Sequence, residues 1–90
     1  MMYPYVKYSD GTEVLFSNIY IDNGKECIDV HFERPTKKGF DSVRIKLPSY
    51  EVTVWEGNYT EKEIEFFKQV VKNSCDLFYK YAKEGGLRFA

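Results

Sequence analysis

At Thr60 the hydrophobic spacing of this 90-residue chain changes, and that change limits the fold more than any other feature. Thr60-Glu61-Lys62-Glu63 has the form of a capping box, in which the Thr60 hydroxyl accepts from the N–H of residue 63 and the Glu63 carboxylate reaches back. Downstream, Ile64, Phe67, Val70/Val71, Ser74/Cys75, Phe78 and Tyr81/Ala82 recur every three or four residues, the spacing of one buried helical stripe. Tyr59, just before the cap, can staple onto Ile64. Gly85-Gly86 supplies a left-handed stop, with Lys83 near the negative end of the helix dipole. Together these signals predict a helix over about 61–84. At roughly 1.5 Å per residue it is long enough to cross a whole sheet.

Before Thr60 the pattern is that of strands and turns. Asp10-Gly11 and Asn23-Gly24 accept positive φ, as a type I′ hairpin turn requires. If Asn23-Gly24 is a two-residue loop, counting outward sets Tyr20 opposite Cys27, Phe16 opposite His31 and Leu15 opposite Phe32. Facing residues share a side. That register predicts a core face of Leu15, Ser17, Ile19, Ile21, Ile28, Val30 and Phe32. Val14, Phe16, Tyr20, Cys27, Asp29 and His31 fall on the opposite face. With Pro48-Ser49 as the next turn, Val43, Ile45 and Leu47 share the core side with Tyr50, Val52 and Val54. Arg44, Lys46, Glu51, Thr53 and Trp55 then take the reverse. Between the hairpins, Arg34-Pro35-Thr36-Lys37-Lys38-Gly39 reads as a basic loop. Tyr5–Ser9 reads as a first strand, at an edge because Pro4 precedes it. The expected fold is α+β: an antiparallel β-meander of about five strands, with one long C-terminal helix packed on one face, in one domain over 1–90. Leu87-Arg88-Phe89-Ala90 is a short apolar tail that either tucks against the domain or stays free.

Composition narrows function by exclusion. Apolar residues are 43% and aromatics 18% of the chain, too rich for disorder. Thirteen basic against 14 acidic residues, net −1, lack the positive excess that dominates phosphate binding and ease self-association. No apolar run approaches the roughly 18–20 residues of a membrane span, and the N-terminus lacks the basic start and apolar core of a signal peptide. A cytoplasmic setting without membrane association is the expectation. Cys27 and Cys75 lie 48 residues apart with no C-x-x-C spacing and no second histidine, so no metal or cofactor is expected. Cys75 falls on the apolar stripe and Cys27 on the other face, so the register argues against a disulfide.

No catalytic set emerges. Cys27 and His31, four apart on a strand, would lie roughly 13 Å apart, too far for a nucleophile–base contact. Glu61, Glu63 and Glu65 suit a helix start, and Asp10 and Asp22 suit turns. What remains is a sheet face that the single helix leaves open, carrying Phe16, Tyr20, His31 and Trp55 among charges. Aromatics in a polar rim are the usual substance of interface hot spots. The leading expectation is therefore a non-enzymatic interaction module acting through a protein partner or a homodimer. The alternative is an accessory single-stranded nucleic-acid binder using Lys37, Lys38, Arg44 and Lys46 around aromatic rings that stack bases.

Gly57-Asn58-Tyr59-Thr60-Glu61-Lys62-Glu63-Ile64, with the aromatic-rich Leu77-Phe78-Tyr79-Lys80-Tyr81, resembles a group of small uncharacterised bacterial proteins encoded near toxin–antitoxin-like or mobile-element genes. Those proteins combine a β-meander with a capped, aromatic-ended helix, and the similarity covers about half of the chain. It implies the same fold and a bacterial, mobile-element setting. They often carry a His-x-His strand. Here His31 matches the second position, but Asp29 occupies the first, which undercuts any shared metal or catalytic role.

Overall fold

The computed structural model describes residues 2–85, and the Leu87–Ala90 tail lies outside the described residues. Six strands precede the helix: β1 Met2–Lys7, β2 Glu13–Ser17, β3 Tyr20–Asp22, β4 Lys25–Thr36, β5 Gly39–Leu47 and β6 Glu51–Glu56. They form an antiparallel sheet in the order β1-β2-β4-β5-β6, with the short β3 also paired to β4. The fold is α+β, and α1, Glu61–Lys83, packs across one face against β2, β4 and β5. The capping box forms as the sequence requires: Glu63 N donates to Thr60 Oγ1 at 3.2 Å, and Thr60 N donates to Glu63 Oε1 at 3.0 Å.

The Asn23-Gly24 turn sets its near register as expected, with Asp22 opposite Lys25 and Tyr20 opposite Cys27. Farther out the register slips by one. Phe16 pairs with Val30, Leu15 with His31 and Val14 with Phe32. Asn18 and Ile19 break the strand into β2 and β3, and the Ser17 hydroxyl takes the Asp29 N–H at 2.9 Å. Because side chains alternate, the slip exchanges the faces of β2. Val14 and Phe16 enter the core, whereas Leu15 moves to the open face beside His31. Ile21, also expected in the core, is 67% exposed.

A bulge makes a similar exchange in β6. Lys46 pairs with Glu51 and Ile45 with Val52, but Arg44 pairs with Val54 and Val43 with Trp55, leaving Thr53 as the extra residue. Val54 is thereby turned to the open face, and Trp55 to the helix side. Two strand limits also differ from expectation. β1 begins at Met2 and includes Pro4, and the Arg34–Gly39 loop is mostly strand. Only Lys37-Lys38 form the turn, with Pro35 opposite Phe40 and Thr36 opposite Gly39.

The resulting core joins Val14, Phe16, Ile28, Val30, Phe32, Val43, Ile45 and Leu47 of the sheet to Ile64, Phe67, Val71 and Phe78 of the helix. Its aromatics interlock. Phe32 stacks on Phe67 at 4.1 Å, Tyr59 meets Phe67 edge-on at 5.0 Å, and Phe16 and Tyr5 close on Phe78 at 5.4 and 4.7 Å. Pairs of this kind contribute about 0.5–1.5 kcal/mol each beyond their burial. Among the described residues, no helix is long and apolar enough to cross a membrane.

Candidate functional site

The register changes dismantle the surface expected from sequence. Phe16 is fully buried, and Trp55 lies on the helix side. Of the four aromatic and histidine candidates, only Tyr20 and His31 remain on the open face. The Tyr20 hydroxyl donates to Asp29 Oδ1 at 2.7 Å, and burial followed by this bond raises its pKa.

That face is a lattice of charges. Pro4, Leu15, His31, Arg44 and Val54 line one cross-strand row, and Lys7, Glu13, Glu33, Ser42 and Glu56 the next. His31 Nδ1 is 3.8 Å from Glu33 Oε1, yet burial and then the Arg44 guanidinium hold its pKa below the ordinary histidine value. Arg44 Nε is buried with no hydrogen-bond partner among the described residues, so this row carries a desolvation cost. It presents no nucleophile–base pair. Cys27 is buried four positions from His31, and its thiol donates to the Lys25 carbonyl at 3.5 Å. Both cysteines are free. Among the described residues, no group of three His, Cys, Asp or Glu side chains is placed to hold a metal.

The basic set is not brought together either. Lys37 and Lys38 occupy the exposed β4–β5 turn, while Lys46 lies eight residues from Lys38, roughly 27 Å along an extended strand. Lys46 is paired with Asp22, and Arg44 sits between His31 and Val54 in its row.

One polar cluster was hidden from sequence reasoning. Arg34 donates from Nε and Nη2 to Asp41 Oδ2 at 3.0 and 2.8 Å, and from Nη1 to Glu63 at 3.0 Å and Asp10 at 3.3 Å. Its guanidinium lies 4.4 Å above the Tyr59 ring. Asp41 Oδ1 also accepts from Asn58 N at 2.8 Å, and Thr12 Oγ1 lies 3.0 Å from the Tyr59 hydroxyl. Arg34 therefore joins the β1–β2 turn, β5, the β6–α1 link and the first helical turn. The signal was present: placing the turn at Lys37-Lys38 sets Arg34 opposite Asp41. Its donors are used within the fold, which marks it as a joint.

A larger concave surface than the shallow one beside His31 and Arg44 lies on the helix side. Because α1 rests on β2, β4 and β5, the helix-side residues of β6 sit beside it, and a groove of about 620 Å³ opens between them. Val52, Trp55 and Ile64 form its apolar floor, rimmed by Glu61, Lys62, Glu65 and Lys68. Trp55 is 47% exposed, but its indole N–H donates to the Tyr59 carbonyl at 3.0 Å. Half of the ring faces solvent while its orientation is fixed. No family model, curated protein or solved structure matches the chain.

Proposed function

We propose that this chain is a non-enzymatic interaction module that takes a short segment of a protein partner in the groove between β6 and α1. The observation that supports this reading is Trp55, half-exposed over an apolar floor and tethered through Nε1. Tryptophan dominates binding hot spots because it offers a large area for few rotatable bonds. A ring already held in place loses little further freedom on binding. The mixed-charge rim of Glu61, Lys62, Glu65 and Lys68 suits a segment with an apolar anchor between polar residues.

Trp55 is the chain's only tryptophan, so its fluorescence reports on the groove directly. Peptides selected by display on the wild-type domain should shift Trp55 emission to shorter wavelength in a saturable way. They should lose at least about tenfold in affinity on Lys68→Glu or Trp55→Ala, and bind Tyr20→Phe unchanged. Selected peptides that leave Trp55 emission and the Trp55→Ala affinity untouched would remove the groove from consideration.

A further inference from the structure

Arg34 and Arg44 use their guanidinium groups in opposite ways. Arg34 donates from Nε and both Nη atoms to Asp10, Asp41 and Glu63. Arg44 makes no side-chain hydrogen bond and no ion pair with any described residue, and its Nε is buried as well. A guanidinium carries five N–H donors and no acceptor, so Arg44 has its pairing capacity unspent. A buried donor without an acceptor is costly, and a bound acceptor removes that cost.

On the open face Arg44 lines a cavity of about 190 Å³ with His31, Glu33, Ser42, Val54 and Glu56. The strand register explains the grouping. Glu33 and Glu56 are the cross-strand neighbours of Ser42, one on each side, so the three side chains share a face. Arg44 stands two residues farther along β5, roughly 7 Å away on the same face. Its own neighbours are His31 and Val54, and the Thr53 bulge is what turns Val54 to this side. Glu33 has only His31 Nδ1 near it, at 3.8 Å, and a pKa below 6.5 leaves that imidazole neutral near pH 7. The other cations of the face lie apart from the cavity: Lys46 pairs with Asp22, and Lys7 stands opposite Glu13 on the edge strand β1. The cavity thus offers one cation and two anions that do not pair with one another.

We propose that this cavity binds the zwitterion of a small α-amino acid, its carboxylate on Arg44 and its ammonium between Glu33 and Glu56 over Ser42. Charge selects the class. A simple anion would meet two carboxylates, and a simple cation would meet the guanidinium, whereas a zwitterion meets each charge with its opposite. Guanidinium–carboxylate pairing is also among the stronger hydrogen-bonded contacts. Size limits the ligand further, since about 190 Å³ falls below the roughly 300–1,000 Å³ of pockets for drug-sized ligands. Val54 supplies an apolar wall for the α-carbon and a short side chain. The site lies on the sheet face opposite the Trp55 groove and does not depend on the reading of that groove.

His31 is the chain's only histidine, so its imidazole resonances in NMR spectra report on the cavity wall. The common amino acids, titrated singly into the labelled chain, should include small ones such as glycine, L-alanine or L-serine that shift those resonances in a saturable way. Acetate and methylammonium, each carrying one charge of the pair, should bind at least about tenfold more weakly. Arg44→Gln and Glu56→Gln should each lower amino-acid affinity at least about tenfold with unchanged circular dichroism. Glu56 is exposed, so its variant decides the matter even where Arg44→Gln does not fold. Glu56→Gln should also bind acetate no more weakly than the wild type does, because it removes a repelling charge. Absence of a saturable shift with every amino acid at about 10 mM would overturn the site. Acetate that binds as well as L-alanine, or a Glu56→Gln variant with undiminished amino-acid affinity, would overturn it too.

Discussion

Gly57 lies at the joint between β6 and the helix, and replacing it with alanine tests how tightly Arg34 and Asp41 close that joint. Its φ is +90°, and a Cβ built there would stand 2.4 Å from Asp41 Oδ1 and 2.8 Å from Asp41 Cα. The second distance decides the outcome, since a side-chain oxygen can rotate away but a backbone atom within a paired strand cannot. A left-handed non-glycine residue costs roughly 1–2 kcal/mol. Forcing a methyl group into a filled site adds roughly 1–3 kcal/mol. The expected loss is thus about 2–5 kcal/mol, a large share of the roughly 5–15 kcal/mol typical of a small domain. Gly24→Ala is the matched control, because φ there is +76° with nothing within 4 Å of the new Cβ. It should show the conformational cost alone, about 1–2 kcal/mol. Urea unfolding followed by circular dichroism gives both values, and an unchanged m-value would show that the extent of unfolding is the same. Equal losses at the two glycines would refute the claim that the Asp41 backbone blocks position 57.

Two further tests address the sheet. Phe16→Ala should cost about 3–5 kcal/mol because Phe16 is fully buried against Tyr3 and Phe78, whereas Leu15→Ala on the open face should cost about 1 kcal/mol. Denaturant midpoints in the reverse order would restore the register without the slip. The pKa of His31 is lower in the folded chain than its ordinary 6.5, so the unfolded chain takes up the proton first. Stability should be full above about pH 6.5 and fall as pH drops from there toward the lower folded value. His31→Gln should flatten that slope, and an unchanged slope would refute the assignment. Asp10 and Asp41 act in a separate window. Hydrogen bonds from the Thr12 N–H to Asp10 and from the Asn58 N–H to Asp41, each reinforced by Arg34, hold their carboxyls below 3.8, so their contribution is present above that value and lost on further acidification.

Signals confined to a few neighbouring residues were legible. The Thr60 box and the Asn23-Gly24 turn act between close neighbours, the Ile64–Phe78 stripe repeats a three-to-four-residue spacing, and all three form as written. The alternation in β4 and β5 was equally plain, since Ile28, Val30, Phe32, Val43, Ile45 and Leu47 are all buried. The Trp55 groove was not legible, because Thr53 looks like an ordinary strand residue and nothing local marks it as a bulge. The Arg34 joint was hidden for a related reason, as Pro35 and Gly39 suggested a loop where the strands in fact continue to Lys37-Lys38.

Spacing and turn residues alone define a strand-rich first part, a capped helix, and an apolar face on β4 and β5 for that helix to cover. Hydrophobic period and turn chemistry are local properties, and they need no knowledge of distant neighbours. Which aromatics are core and which are surface follows from how the strands pair. One residue gained or lost between strands turns every later side chain to the other face. The break at Asn18-Ile19 sent Phe16 inward, and the bulge at Thr53 carried Trp55 to the helix side. The first departure sets Phe16 on Phe78, and the second sets the Trp55 indole N–H on the Tyr59 carbonyl. The partner of Phe16 lies in helix α1, far along the chain from the Asn18-Ile19 break, which is why no local pattern announces it.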